Sequence, residues 1–171
     1  MKKNLILTGM MGVGKSTVGR SLSKRLNMKF IDVDEIIEKD ENMSINEIFK
    51  NKGEAHFRNL EKIATLKKLE EMNSVIALGG GAFTNPTIRD VVLKNCISFW
   101  LNLNIELLSK RLIKSNKRPL FNETMPEDSL SKIFDKRKKV YKLANYEMDC
   151  NKDDTPTLVE KIAKIYESKS N

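Results

Sequence analysis

A glycine-rich stretch near the beginning of the chain has the spacing of a phosphate-binding loop. Residues 9–17 read GMMGVGKST, so Gly9, Gly14, Lys15 and Ser16 satisfy the pattern G-x-x-x-x-G-K-[ST]. Glycines permit a tight turn whose backbone N–H groups point at phosphate oxygens, and the dipole of a following helix adds to that attraction. The lysine brings positive charge to the β- and γ-phosphates, and the serine hydroxyl can bind Mg²⁺. This segment predicts a nucleotide-binding site.

Two aspartates follow the apolar run FIDV at 30–33. Asp32 and Asp34 are expected at the carboxyl end of a strand, where open α/β sheets bind their ligands. If the strand extends that far, its pleat directs both carboxylates to the same side. One carboxylate near Mg²⁺ and one near an acceptor hydroxyl would suit phosphoryl transfer. Helix capping is the alternative, since aspartate is common at helix N-termini, and these residues alone favour neither interpretation.

Two arginines and a run of glycines are further candidates for an acceptor site. Arg58 has Glu54 and Glu61 at helical spacing on either side, which can hold a guanidinium in place. The glycines at 79–81 directly follow an apolar strand candidate, so their backbone could approach a ligand closely, although a flexible turn is the alternative. Arg137 lies on a later helical pattern, and by itself it is better explained as a solvent-facing residue.

Alternating strand and helix patterns would position these residues. Short apolar runs predict strands at 5–8, 30–33, 75–78 and 97–103. Helical patterns occupy 16–26, 34–72, 87–95, the segment around Arg111, the segment from 126 to about 144, and the segment from about 155 onward. Ser44 and Glu47 form a capping box, and Gly53 is expected to end the helix that begins there. Apolar strands separated by helices are typical of a parallel sheet covered on both faces, so we predict an α/β fold with three α/β/α layers.

Length and composition indicate one globular domain. The chain has 171 residues, of which 40% are hydrophobic and 32% charged. The net charge of +8 fits either a nucleic-acid or membrane surface, or a lysine-rich exterior around a site for anionic small molecules. Because the lysines are interleaved with glutamates and aromatic residues make up only 6%, we favour the second interpretation.

Cysteine and histidine usage argues against a zinc site or a disulfide framework. Cys96 and Cys150 are far apart in sequence, and His56 is the single histidine. Neither a signal peptide nor a span of roughly 20 apolar residues is evident. We therefore expect a cytoplasmic protein, and a monomer because no long apolar stripe is apparent.

The order and spacing of these segments resemble the shikimate kinase family. The matching segments run from the first strand to residue 144 and are GMMGVGKSTVGR, FIDVDEIIE, SINEIFKNKGEAHFR, ALGGGAF, KRPLF and RKKVYKLA. The resemblance implies a P-loop fold like that of nucleoside monophosphate kinases, in a single domain over 1–171. It also implies a substrate-binding helical region at about 34–61 and a lid loop at about 114–125.

The activity implied by the resemblance is ATP-dependent phosphorylation of the 3-hydroxyl of shikimate, with Mg²⁺ as cofactor. The catalytic residues would be Asp34, Lys15 and Arg118. Asp34 would orient the hydroxyl or act as a base, and the lid would bring Arg118 onto the phosphoryl group. Ser16 and Asp32 would hold Mg²⁺, the aspartate through water.

The resemblance also implies binding residues for the two substrates. Those for ATP would be Gly12, Val13, Gly14, Lys15, Ser16, Thr17, Arg111, Arg118 and Pro156. Arg111 and Pro156 would sandwich the adenine, although a proline at the start of a helix needs no ligand to explain it. Those for shikimate would be Asp34, Arg58, Gly79, Gly80, Gly81 and Arg137, with Phe49 and Phe57 as apolar walls. The two arginines would bind the shikimate carboxylate.

Two other functions are compatible with the phosphate-binding motif. One is a small-molecule kinase acting on gluconate or a nucleoside monophosphate, which would need different acceptor residues. The other is a regulatory ATP-binding module that uses its basic surface for nucleic acid, which would leave Asp34, Arg58 and Arg137 without a role. We expect ATP and shikimate as partners, no nucleic acid or membrane, and a place on the route to chorismate and aromatic amino acids.

Overall fold

The computed structural model describes residues 3–114 and 127–170, in which five parallel strands form one sheet. In chain order the strands are β1 (Leu5–Thr8), β2 (Lys29–Asp32), β3 (Ser74–Ala77), β4 (Ile97–Asn102) and β5 (Tyr146–Asp149). Their order across the sheet is β2-β3-β1-β4-β5, and every neighbouring pair is parallel. The carboxyl ends of β2, β3 and β1 are therefore next to one another.

Burial explains which strands the sequence reveals. Every residue of β1 and β3 is buried, as are all residues of β4 except the last. Strands covered on both faces read as continuous apolar runs. The edge strand β2 has only Ile31 buried, but its adjacent apolar residues Phe30 and Ile31 still revealed it, and all four predicted strands are confirmed to within one residue. The edge strand β5 was not predicted. Its sequence is YEMD, in which Met148 alone is buried, so it offers no apolar run.

Helices cover both faces of the sheet. Within the described residues they are α1 (Lys15–Leu26), α2 (Val33–Glu41), α3 (Ile45–Leu69), α4 (Pro86–Asn95), α5 (Ile105–Lys114), α6 (Glu127–Tyr141) and α7 (Thr155–Lys169). Right-handed crossovers place α1 on one face and α3 and α4 on the other, because the chain crosses the sheet in opposite directions. Accordingly, α1 packs against α7, and α3 against α4. The predicted three-layer α/β/α fold is confirmed.

The predicted capping box and glycine stop are both present in α3. Ser44 Oγ accepts the N–H of Glu47 at 3.2 Å, and the Glu47 carboxylate accepts the N–H of Ser44 at 2.7 Å. Gly53 interrupts the helix with φ 82° and ψ 166°, so the axis bends there before the helix resumes at Glu54. The second part of α3 carries Arg58, and this bend determines its direction.

Asp32 ends β2 and caps α2, which differs from the alternating arrangement that the sequence predicted. One oxygen of its carboxylate accepts the N–H groups of Asp34 and Glu35 at 3.1 and 3.4 Å. The strand stops before Val33, so Asp34 lies in the first turn of a helix. The expectation that one pleat directs both carboxylates is wrong, because the capping bonds begin the helix at once.

The core lies between the sheet and its two helical layers. Its largest fully buried side chains are Trp100, Tyr141, Tyr166, Phe83 and Phe99. Both cysteines are buried and free. No helix in the part of the chain that the structure describes has the length and apolar character needed to cross a membrane.

Candidate active site

The phosphate loop, residues 9–14, connects β1 to α1 and depends on its glycines. Gly14 precedes α1 with φ 105°, in the left-handed region that favours glycine. A Cβ on Gly9, whose φ is 138°, would lie 2.7 Å from the carbonyl oxygen of Leu101, so the loop rests directly on β4. The first turn of α1 contains no acidic residue, which leaves its N–H groups and helix dipole available to an anion.

Lys15 brings a buried positive charge to this loop. Its side chain is 9% exposed, and its ammonium group donates to the carbonyl oxygens of Gly9 and Met10, each at 2.9 Å. The lysine thus folds back over the loop, so that its charge and the N–H groups of α1 act on the same region. A polyanion is the ligand that this concentration of positive potential favours.

Ser16 and Asp32, the two candidates for metal binding, are in direct contact. Ser16 Oγ donates to Asp32 Oδ2 at 2.5 Å, which joins the first turn of α1 to the end of β2. A hydroxyl and a carboxylate are hard oxygen donors, so their chemistry fits Mg²⁺ with the remaining positions filled by phosphate and water. Among the described residues, no group of three or more His, Cys, Asp or Glu side chains could hold a metal ion.

The glycine loop, residues 79–81, brings the acceptor candidates together. A Cβ on Gly79 would lie 2.5 Å from Glu61 Oε1 and 2.7 Å from Asp34 Oδ1. A Cβ on Gly81 would lie 2.7 Å from the central carbon of the Arg58 guanidinium. Charged side chains from α2 and α3 thus press against this backbone, and side chains on the loop would displace them. The loop backbone is thus in close contact with charged side chains, and its close approach to a ligand stays a prediction.

Arg58 is held from several sides. Its guanidinium donates to Glu61 at 2.7 Å and to Glu54 at 3.3 Å, as the helical spacing predicted. It also lies 5.2 and 6.0 Å from the ring centres of Phe57 and Phe49. Contacts of this kind fix the guanidinium before a ligand arrives, which reduces the entropy lost on binding.

Glu61 contributes more to the site than its position in the sequence suggested. The sequence identified it only as a partner of Arg58, whereas the structure buries it to 3% exposure beside the glycine loop. Burial raises the pKa of Glu61, and the Arg58 guanidinium opposes that rise. The nearby Asp34 carboxylate adds to the increase. Helical spacing could reveal the pair with Arg58, but not the contact with a loop from another strand.

Arg137 points into the site. Its guanidinium donates to the carbonyl oxygen of Gly80 at 3.2 Å, and Tyr141 donates to the same oxygen. The interpretation of Arg137 in isolation as a solvent-facing residue is wrong, because the helical pattern of α6 does not say which element lies opposite. Its location agrees with the acceptor-binding role that the family resemblance implied.

The remaining nucleotide candidates are only partly brought together. Arg111 donates to the carbonyl oxygen of Val13 at 3.1 Å and so lies beside the phosphate loop. Pro156 occupies the first turn of α7, which Asp154 caps by accepting the N–H of Thr157 at 2.9 Å. That position explains the proline structurally, and an adenine sandwich stays a prediction. Arg118 and nearly all of the predicted lid lie outside the described residues.

A cleft borders the two metal candidates and Asp34. It has a volume of about 730 Å³, and its lining includes Ser16, Asp32 and Asp34. The cleft lies at the end of β2, between α1, α2 and the beginning of α3. The cleft therefore places Asp34 and the pair of Ser16 and Asp32 beside one space.

Comparisons with known proteins agree with this arrangement. The sequence model of the shikimate kinase family matches residues 11–167. A shikimate kinase from Sulfurihydrogenibium sp. (strain YO3AOP1) is 38% identical over 94% of this chain and 95% of its own length. A solved shikimate kinase from Acinetobacter baumannii, in complex with shikimate, has a TM-score of 0.91 and 32% identity. That alignment covers 98% of this chain and 94% of the other.

A more distant neighbour shares the fold alone. The gluconokinase from Sinorhizobium meliloti 1021 has a TM-score of 0.60 at 13% identity, over 99% of this chain and 94% of its own. Its likeness shows a common P-loop kinase architecture. By contrast, the family match across residues 11–167 and the 38% identity along nearly all of both chains show that this chain belongs to the shikimate kinase family and is a phosphotransferase.

Proposed function

We propose that the protein transfers the γ-phosphoryl group of MgATP to the 3-hydroxyl of shikimate, giving shikimate 3-phosphate and ADP. The observation that carries this proposal is the convergence of Asp34, Arg58 and Arg137 on the glycine loop, next to the phosphate loop. Family membership supports it, as does the solved relative that contains shikimate.

The acceptor site suits a small molecule with one carboxylate and several hydroxyls. Arg58 and Arg137 supply two guanidinium groups, which pair with carboxylates through parallel hydrogen bonds. Asp34 supplies a carboxylate that can accept a hydrogen bond from the reacting hydroxyl, orient it and take its proton. The glycine loop offers backbone between these charges, with Phe49 and Phe57 on the apolar side.

The donor site suits the phosphates of ATP. The N–H groups of the phosphate loop and the ammonium of Lys15 bind the β- and γ-phosphates. Ser16 and Asp32 would hold Mg²⁺, which when bound neutralises charge on those phosphates. Arg111 and Pro156 take the adenine in this proposal, and Thr17 completes the phosphate contacts.

Catalysis then rests on positioning and on charge stabilisation. The phosphoryl group passes directly from ATP to the acceptor in line, without a phosphoenzyme, so the protein has little covalent chemistry to perform. The lid at about 114–125 closes over both substrates and excludes water, and Arg118 stabilises charge on the transferring group. In this proposal the protein is monomeric and cytoplasmic, and serves the route to chorismate and the aromatic amino acids.

The first experiment measures ADP release from MgATP by the purified protein with shikimate, gluconate or AMP. Strong stimulation by shikimate alone supports the proposal. Stimulation by gluconate or AMP keeps the kinase activity and rejects the acceptor. If none of the three stimulates ADP release, shikimate is rejected as the acceptor together with gluconate and AMP, and the proposal fails.

A further inference from the structure

A single carbonyl in the glycine loop receives two hydrogen bonds from α6. Arg137 Nη1 and the Tyr141 hydroxyl both donate to the carbonyl oxygen of Gly80. The two side chains are four residues apart, so they extend from the same face of the helix. Two donors on one oxygen fix the plane of the Gly80–Gly81 peptide. In a trans peptide the N–H points opposite to the C=O, so the N–H of Gly81 is directed away from α6.

Tyr141 also contacts the phosphate loop. Its hydroxyl oxygen lies 3.8 Å from the sulfur of Met10, and the carbonyl oxygen of Met10 accepts from the Lys15 ammonium. The two loops approach each other directly as well, since a Cβ on Gly80 would lie 3.1 Å from the backbone nitrogen of Met11. The hydroxyl of Tyr141 is thus located where the phosphate loop and the glycine loop meet.

The surroundings of Tyr141 keep it rigid, and its hydroxyl is protonated. The side chain is fully buried, and its ring centre lies 6.0 Å from that of Trp100. A tyrosine hydroxyl is protonated at neutral pH even at its ordinary pKa of 10, and burial raises the pKa of Tyr141 further, to about 12. A rigid side chain in contact with two loops transmits a displacement of one loop to the other.

We propose that Tyr141 is a positioning residue that couples the acceptor site to the nucleotide site through the carbonyl of Gly80 and the side chain of Met10. This inference rests on the function proposed above only for the choice of shikimate as the acceptor. A nucleotide that orders the phosphate loop also orders the glycine loop. An acceptor that orders the glycine loop likewise orders the phosphate loop. Each substrate then binds more tightly when the other is present, by an equal factor in both directions.

The test deletes one hydroxyl and keeps the ring. Tyr141→Phe removes the bond to Gly80, which still accepts from Arg137. Tyr166→Phe is a matched control, because Tyr166 is also fully buried and donates to a backbone carbonyl, that of Lys3, at 2.5 Å. Tyr166 lies on α7, which packs on α1, and its bond does not involve either loop. Thermal unfolding of both variants measures the stability that is lost when a buried tyrosine hydroxyl is removed.

Calorimetry then measures the dissociation constant of ADP and of shikimate, each alone and in the presence of the other. For Tyr141→Phe we expect ADP alone to bind as in the wild type and shikimate alone to bind roughly tenfold more weakly. The coupling factor, which is the ratio of the dissociation constants of one ligand without and with the other, should fall towards one. The Tyr166→Phe variant should keep the wild-type coupling factor. Unchanged coupling in Tyr141→Phe overturns the proposal, even if the affinity for shikimate falls.

A second measurement needs no acceptor and so separates this inference from the proposed function. Addition of MgADP should shift the amide resonances of Gly80 and Gly81 in the wild type and in Tyr166→Phe. The shift should be much smaller in Tyr141→Phe. Equal shifts in all three proteins overturn the coupling role. A wild type that shows the shift but does not bind shikimate rejects the proposed acceptor and leaves the coupling intact.

Discussion

Glu61 accepts a 2.7 Å hydrogen bond from Arg58 through one oxygen, while its other oxygen lies against the backbone of the glycine loop. That second oxygen, Oε1, has no hydrogen-bond partner among the described residues. A buried carboxylate is stabilised by a neighbouring positive charge, and the guanidinium is fixed in return. The acceptor arginine therefore depends on a residue that need not touch the acceptor.

Replacing Glu61 with glutamine should loosen Arg58 without unfolding the protein. The amide keeps a hydrogen-bond acceptor but loses the charge, so we expect the KM for shikimate to rise by roughly tenfold with a smaller change in kcat. Steady-state kinetics measure both. Glu54→Gln is the matched control, because Glu54 pairs with the same arginine at 3.3 Å and its side chain is 66% exposed. Equal effects of the two variants would contradict the importance of burial.

Glu61 should also make the stability of the protein depend on pH. Its pKa is raised in the folded state, so the folded protein binds this proton more tightly than the unfolded chain does. The resulting stabilisation is complete below the ordinary value of 4.5 and is lost as the pH rises through the folded value. Urea unfolding measures the free energy of unfolding of the wild type and of Glu61→Gln. The value for the wild type minus the value for the variant should therefore fall as the pH increases. A constant difference would contradict the raised pKa.

An alanine in place of Gly81 should block the acceptor site by steric displacement. Its Cβ would overlap the Arg58 guanidinium, so we expect shikimate to bind at least roughly tenfold more weakly while ATP binding is unchanged. Calorimetry with each ligand checks this. Gly53→Ala is the control, since Gly53 has φ 82° but open space around it. That variant should lose about 2 kcal/mol of stability, because φ 82° with ψ 166° is a conformation that essentially only glycine adopts. Because the bend directs Arg58, the variant's affinity for shikimate should also fall, but by less than in Gly81→Ala.

Substitutions of Asp32 should separate its capping role from its role near Ser16. Asparagine caps helices as well as aspartate does, so Asp32→Asn should retain the wild-type melting temperature. We expect it to need roughly 10- to 100-fold more Mg²⁺ for half-maximal activity. Asp32→Ala should in addition lose about 1 kcal/mol of stability. Asp154→Ala removes an equivalent cap from α7 and should change stability alone. If the Mg²⁺ dependence of Asp32→Asn equals that of the wild type, the metal assignment of Asp32 is refuted.

The Asp34→Asn variant tests the proposed catalytic carboxylate. Asparagine preserves the size of the side chain but is a poor proton acceptor, so kcat should fall by roughly 10²- to 10⁴-fold. The affinity for ATP should not change, because the phosphate loop is a separate element. Calorimetry with an ATP analogue and single-turnover kinetics measure the two effects. Turnover close to that of the wild type would reject a catalytic role for Asp34.

The fold was largely predictable because the central strands are buried on both faces. Continuous apolar runs revealed β1 to β4, and the capping box and Gly53 gave the bounds within α3. Both edge strands have one buried residue each, but β2 contains the adjacent apolar residues Phe30 and Ile31, whereas Met148 of β5 lies between Glu147 and Asp149 and forms no apolar run.

Local spacing revealed the parts of the site that depend on neighbours in sequence. The phosphate loop and the pair of Arg58 with Glu61 belong to this group. Arg137 and Tyr141 act on Gly80, which is 57 and 61 residues away in the chain, and a helical pattern carries no information about such a partner. The predicted position of Asp34 at the end of the strand was also wrong. The sequence allowed either a continuing strand or a helix cap, and the hydrogen bond from the Asp34 N–H to the Asp32 carboxylate begins the helix there.

The central location of β1 has a consequence for how the protein folds during synthesis. Leu5 pairs with Val75 on one side and with Ile97 on the other, so the strand beneath the phosphate loop acquires both neighbours only after most of the chain exists. Contacts this distant in sequence slow folding and leave the N-terminal strand without partners on the ribosome. We expect nascent chains that end before β4 to bind no nucleotide, which makes ATP binding a direct reporter of completed folding.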